Sequence, residues 1–147
     1  MEFFTLFFSI TGRIGRLRFW VGWLTLLVLG NGASLLLRDQ FDSLAEPQLV
    51  DLALTLLLLW PDFCVGRKRL ADRGRGLGYA LAYSGYSLVA SVLIYFAPFL
   101  SGAPDGSLEF NLFWAWLITF TLFFTVECGC MPGTEGPNAY GPQPAQP

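Results

Sequence analysis

Histidine is absent from this 147-residue chain, and charge is scarce: Asp, Glu, Lys and Arg together make up 14% of it. Without imidazole, the commonest general base and metal ligand is missing. A soluble domain carries about 25% charged residues. So little charge beside 54% hydrophobic residues excludes an ordinary water-facing surface. The three cysteines, Cys64, Cys128 and Cys130, make no disulfide framework. They also fall short of the four ligands that zinc usually takes, so neither a metal nor another cofactor is expected. Internal repeats are not evident, which leaves an inverted-repeat transporter plan without support. What remains is a chain of mean hydropathy +0.51, read as a single integral membrane domain.

Four apolar runs approach the roughly 20 helical residues that a hydrocarbon core needs. They cover residues 19–37, 49–65, 77–100 and 108–126. None alternates as a barrel strand would, so the expected class is all-α, a four-helix polytopic domain over residues 1–130. A Pro/Gly-rich tail over 131–147 follows, "MPGTEGPNAYGPQPAQP", whose bland reading is a loose end. The opening "MEFFTLFF" is acidic and aromatic, unlike a cleaved signal. It reads as a short amphipathic lead-in at the membrane interface.

Charge sorts the connections. The N-terminal segment holds Arg13, Arg16 and Arg18, and the stretch "GRKRLADRGRGLG" (66–78) sets Arg67, Lys68, Arg69, Arg73 and Arg75 against Asp72. The other two loops hold Asp39, Asp42 and Glu46 with the exceptional Arg38, and then Asp105 and Glu109. Positive charge therefore alternates. The positive-inside rule places both termini and the basic loop in the cytoplasm. Trp20, Trp23, Trp60 and Tyr79 fall near the inner interface, and Tyr95, Phe99, Phe110 and Trp114 near the outer one.

Chemistry-bearing residues are few. In the third span Ala80, Ser84, Ser87 and Ser91 form a small-residue stripe beside Tyr79, Tyr83 and Tyr86, a pattern suited first to helix packing and second to a polar path. Asn31 is the amide well inside the first span, a candidate partner for a buried tyrosine hydroxyl. Pro61 kinks the second span, and Asp62 follows it, an intramembrane acid expected to pair with nearby cations. Asp51 and Glu127 sit at span ends, solvated or paired. "GRGLG" (74–78) follows a membrane helix rather than a strand, so it is no nucleotide loop. Gly74 fits a helix C-cap, which prolongs the second span through 66–73. In that extension Lys68 and Arg69 stand four and three residues before Asp72, within bracing distance. Arg67, Arg73 and Arg75 then remain for an anion, beside the free N–H groups that open the third span. Arg13, Arg16, Arg69, Asn138 and Tyr140 are further candidates for the same anion- or partner-binding face. The Asn138 to Pro142 segment is a short enough walk from Val126 to fold over the basic loop, so that loop, N-terminal arginines and tail are expected to form one ordered cytoplasmic site for a phosphate-bearing group.

Three stretches taken in order, "FSITGRIGRLRFW" (8–20), "GRKRLADRGRGLGY" (66–79) and "PGTEGPNAYGPQP" (132–144), resemble the domain-of-unknown-function 805 family of small bacterial inner-membrane proteins. The family's Gly-Arg-x-x-x-Arg start is approximated by Gly12 to Arg16 with one residue less. Its Arg-Leu-His-Asp core is matched by Arg69, Leu70 and Asp72, and Ala71 stands where histidine is usual. Its Gly-Pro-Asn-x-Tyr-Gly-x-x-Pro tail is matched from Gly136 to Pro144. The resemblance implies a multi-pass protein of the bacterial inner membrane with four helices, and no activity. All three stretches fall on the cytoplasmic face. That favours a recognition module for an anionic lipid headgroup or a protein partner, with membrane lipids as partners and no nucleic acid. A small oligomeric channel or transporter using Asp62, Tyr83 and Ser87 stays open, as does an accessory subunit of a larger membrane complex. An enzyme ranks last, because no nucleophile is paired with a base.

Overall fold

The computed structural model describes residues 3–41, 47–101 and 108–144, with side chains outside 38–48 and 94–110. The loop acids Asp42, Glu46 and Asp105 lie outside these described residues, as do the side chains of Arg38, Asp39, Tyr95, Phe99, Glu109 and Phe110. Within them the protein is all-α. Its helices are α1 (Phe3–Phe8), α2 (Arg16–Phe41), α3 (Pro47–Asp72), α4 (Leu77–Ser101) and α5 (Leu108–Thr125), the last continuing into a π segment, Val126–Cys130. Three stretches are long and apolar enough to cross a membrane: Arg16–Leu37, Leu49–Asp72 and Asn111–Cys130. Leu77–Leu93 of α4 is apolar too, but shorter over the residues described.

The helices run past the expected spans where local chemistry permits. α2 starts at Arg16 rather than near 19 and ends at Phe41. α3 carries Pro61 inside it and continues through the basic loop to Asp72. It stops there because Gly74 adopts φ +72, which a residue with a Cβ rarely enters. The Arg75 N–H then donates to the Leu70 carbonyl at 2.8 Å and the Gly74 N–H to Ala71 at 3.0 Å, the paired 6→1 and 5→2 bonds of a Schellman cap.

The apolar surface is turned outward. Leu24, Val28, Leu29, Leu35, Leu36, Leu57, Ile118, Leu122 and Phe123 are all exposed, a contiguous greasy exterior that water would penalise and hydrocarbon would not. The buried core lies toward one end of the bundle, where Phe7, Ile14, Phe19, Val65, Leu70, Phe124 and Cys128 meet. Two close approaches shape that end. A Cβ on Gly66 would lie 2.6 Å from the Tyr83 ring, and one on Gly129 would lie 2.5 Å from the Trp20 ring. α3 therefore seats a tyrosine of α4, and the π segment seats a tryptophan of α2. The Trp20 indole N–H also donates to the Gly129 carbonyl at 3.2 Å.

Polar residues within the apolar stretches find partners other than those the sequence suggests. Tyr83 donates its hydroxyl to Asp62 at 2.9 Å, so Asp62 is held by a phenol from α4 rather than by a cation. Its position within α3 turns it toward α4, and the basic side chains one to three turns later point elsewhere. Asn31 donates to the Leu27 carbonyl of its own helix at 2.8 Å and is exposed. Among the described residues it partners no tyrosine, its amide being taken by the backbone one turn back. Tyr86 bonds the Leu117 carbonyl and the Thr121 hydroxyl, both at 2.7 Å, tying α4 to α5. Ser87 is half-buried and its carbonyl accepts from Ser91 at 2.8 Å.

Candidate functional site

Beside the buried core, three distant parts of the chain close on Asp72. This carboxylate ends α3 and is buried, 3% exposed. One oxygen accepts from Arg13, at 3.1 Å from Nε and 2.9 Å from Nη2. The other accepts from Arg69 Nη1, one helical turn back. Two guanidinium groups on one carboxylate leave a net positive charge in a dry place. Such a charge is tolerable only where every remaining donor is satisfied.

The tail supplies the acceptors. Arg13 Nη1 donates to the carbonyls of Gly136 (2.7 Å) and Gly141 (3.2 Å), and its Nη2 to that of Thr134 (2.6 Å). Gly141 can turn its carbonyl inward because it sits at φ +129, closing a tight turn with Asn138 through two 3.1 Å backbone bonds. Asn138 works on both sides of that turn. Its Oδ1 accepts from the Tyr140 N–H at 2.9 Å, and its Nδ2 donates to the Ala71 carbonyl at 3.0 Å. Thr134 donates N–H (2.8 Å) and hydroxyl (3.0 Å) to the Asp72 carbonyl. The tail therefore caps the Asp72 carbonyl, which the Schellman cap does not reach, and adds a second donor to that of Ala71. Residues 131–144 are held on a fixed path by these bonds, though none of them is buried, and the loose end of the bland reading gives way to it.

The π segment completes the knot. Widening the final turn of the α5 path presents carbonyls sideways, and arginines take them. Arg69 Nε donates to Cys128 at 2.6 Å and its Nη2 to Met131, while Arg16 reaches Cys130 at 3.4 Å. Glu127, in the first turn of the segment, pairs with Arg75 at 2.9 Å and with Arg73 at 3.3 Å. Its hydrogen bond holds the Arg75 guanidinium even further into its charged form than usual. Arg73 also donates to the Pro132 carbonyl at 2.6 Å.

Several expectations are corrected here. Lys68 does not brace Asp72. It is fully buried and its ammonium donates to the Thr5 and Leu6 carbonyls, the latter at 2.6 Å. Position 68 faces α1, so a long lysine stem reaches the orphan carbonyls of that short helix. Arg73 and Arg75 are not spare, because Glu127 holds both. Arg67 comes closest to the expectation. It lies over the Tyr140 ring at 4.8 Å, is only half-buried, and its Nη1 has no hydrogen-bond partner among the described residues. Arg13, Arg69 and Asn138 belong to the knot itself. Arg18, not singled out from sequence beyond its charge, is exposed at the start of α2.

A cleft of about 490 Å³ opens beside the knot. The first turn of α2 forms one wall, with Arg16, Leu17 and Arg18. The tail forms the other, including Glu135, and Arg69 and Asp72 also line it. A second, smaller cavity of about 280 Å³ lies between α2 and α3, where Ser34 donates to the buried Asp51. Of the thiols, Cys64 and Cys128 are buried and Cys130 is exposed, all three unpaired.

The chain is 32% identical over 144 residues to "Uncharacterized protein YiiR" of Escherichia coli strain K12, covering 91% of this chain and 84% of that protein. It matches the protein of the same description from Escherichia coli O157:H7 to the same extent. No solved structure matches it. The family described as "Protein of unknown function (DUF805)" matches residues 7–142, a range that takes in α2, the basic end of α3 and the tail through Gly141. The chain belongs to that family.

Proposed function

We propose that this is a bacterial inner-membrane protein with four spans and both termini in the cytoplasm, whose cytoplasmic end is a recognition module for an anionic lipid headgroup. The observation that carries the proposal is the convergence of the N-terminal arginines, the basic loop and the tail on one end of the bundle. A topology signal alone requires no such construction, since a few unorganised cations suffice. Anchoring requires none either, because transmembrane helices hold a protein far more firmly than surface charges worth about 1 kcal/mol each. A rigid scaffold that leaves the Arg16 and Arg18 side chains exposed, with Arg67 half-buried at the same end, is suited to holding cations at the headgroup level. The polar contacts Asp62–Tyr83 and Tyr86–Thr121 join helices, which favours packing over a transport path for those groups. A protein partner for the same end is the second outcome of the test.

Two results are expected. In a chain whose native cysteines are replaced, single cysteines at positions 42 and 105 are labelled by an impermeant maleimide from the periplasm, and one at position 136 is not. Labelling at 136 from outside would overturn the orientation. In mild detergent the purified protein retains anionic phospholipid in preference to phosphatidylethanolamine, read by native mass spectrometry. Retention of no lipid, with a protein retained in its place, would move the reading to the partner.

A further inference from the structure

We infer that the cleft between the first turn of α2 and the tail is a binding site for a phosphate group, with Arg16 and Arg18 as its principal ligands. This deepens the headgroup reading above and rests on it. The first turn of α2 has no acidic residue. It carries two arginines instead, at the positive end of a 26-residue helix, where acids are favoured and cations are not. Like charges gathered at that end ask for an anion from elsewhere. Among the described residues the protein's own carboxylates do not supply it. Asp72 is taken by Arg13 and Arg69, and Glu127 by Arg73 and Arg75. Glu135, exposed on the tail wall, is the other acid in the lining. Arg16 has only the 3.4 Å contact to Cys130, so both exposed side chains can swing onto a ligand. The volume, about 490 Å³, admits a phosphate with a glycerol-sized group attached. Leu17, 56% exposed, lines the same cleft and offers that group an apolar neighbour. Two arginines around one phosphate give short charge-assisted bonds.

A phosphate could arrive on a lipid or free in solution, and the probes separate the two. Binding to the full chain in a neutral detergent is measured by calorimetry with dihexanoyl phosphatidylglycerol and with inorganic phosphate. The wild type is expected to bind at least one of them. Arg16→Gln with Arg18→Gln should weaken that binding by about tenfold or more, as loss of charge-assisted contacts does. Glu135→Gln, which removes the competing carboxylate, should strengthen it a few-fold. Tighter binding of the lipid identifies a headgroup site, and tighter binding of inorganic phosphate a site for a soluble ligand. Equal binding by wild type and double variant overturns the cleft. If the wild type also retains anionic lipid through purification, the headgroup reading survives that failure. If the wild type binds neither probe and retains no lipid, both fall together. The exposed positions chosen lie outside the knot, and an unchanged melting temperature in each variant confirms that the fold is intact.

Discussion

Replacing Asp72 by alanine is expected to cost about 3–5 kcal/mol, enough to unfold the end of the bundle in detergent. The carboxylate is the anion shared by Arg13 and Arg69, whose side chains are 1% and 0% exposed. Its removal leaves two guanidinium groups close together in a dry site with only carbonyl dipoles around them. Cleft water can approach the vacated position, which Asp72 and Arg69 line. Neither guanidinium, however, can move out to bulk solvent without dragging its segment from the core, Arg69 because it lies within α3 and Arg13 because it is clasped by the tail. A thermal melt should show a large drop, and proteolysis should release the tail. A melting temperature within about 2 °C of wild type would show that the carbonyls alone satisfy both arginines. Asp72→Asn is the milder variant. It keeps the shape and one acceptor, and should fall between the two.

Gly133→Ala should have the next largest effect. A Cβ at that position would overlap the Asp72 carboxylate. Ordinarily a side chain's end could give way, but this one is fixed on both oxygens by arginines. The tail must then lift, breaking the bonds from Thr134 to the Asp72 carbonyl and from Arg13 to Thr134. Overpacking of this kind costs about 1–3 kcal/mol. The expected signature is selective: rapid proteolytic loss of residues after Met131, with helix content by circular dichroism unchanged. A variant tail as resistant as the wild type would mean that the backbone around Gly133 yields by a small shift, and that the close approach there is not a requirement.

The helices were legible because length and apolarity are local properties. The end of α3 was legible as well, since Gly74 announces its cap and Arg69 stands one turn before Asp72. The rest of the site depends on pairs far apart in sequence. Nothing at position 13 names position 72 as its partner, and Arg73 and Arg75 look spare until Glu127 is seen to face them across the bundle. The clue available was that Glu127 follows the last apolar run on the same side as the basic loop, where an unpaired acid would be out of place. Lys68 misled because a lysine four residues before an aspartate satisfies the spacing rule for a pair, whereas direction around α3 sends it to α1. The proline-rich tail was legible in part: so short a walk from Val126 lets Asn138 to Pro142 fold over the basic loop, as they do, although the bonds that hold them could not be named. Proline and glycine forbid helix, but they do not forbid a fixed path when the neighbours offer donors.

The clasp between Arg13 and the tail spans 123 and 128 residues of sequence at Gly136 and Gly141. Such separation has a consequence for biogenesis. Arg13 emerges from the ribosome before any of the long helices has been made, and its acceptors emerge after all of them. Until then Arg13 lacks its tail acceptors, and the Asp72 carbonyl lacks the donors that Thr134 brings. The clasp is thus the final stitch: it can be drawn only when the intervening helices stand in their places with both ends of the chain on one side. A chain lacking its last segment leaves Arg13 without the carbonyls of Thr134, Gly136 and Gly141. The same few bonds that finish the fold thus tie its first-made segment to its last.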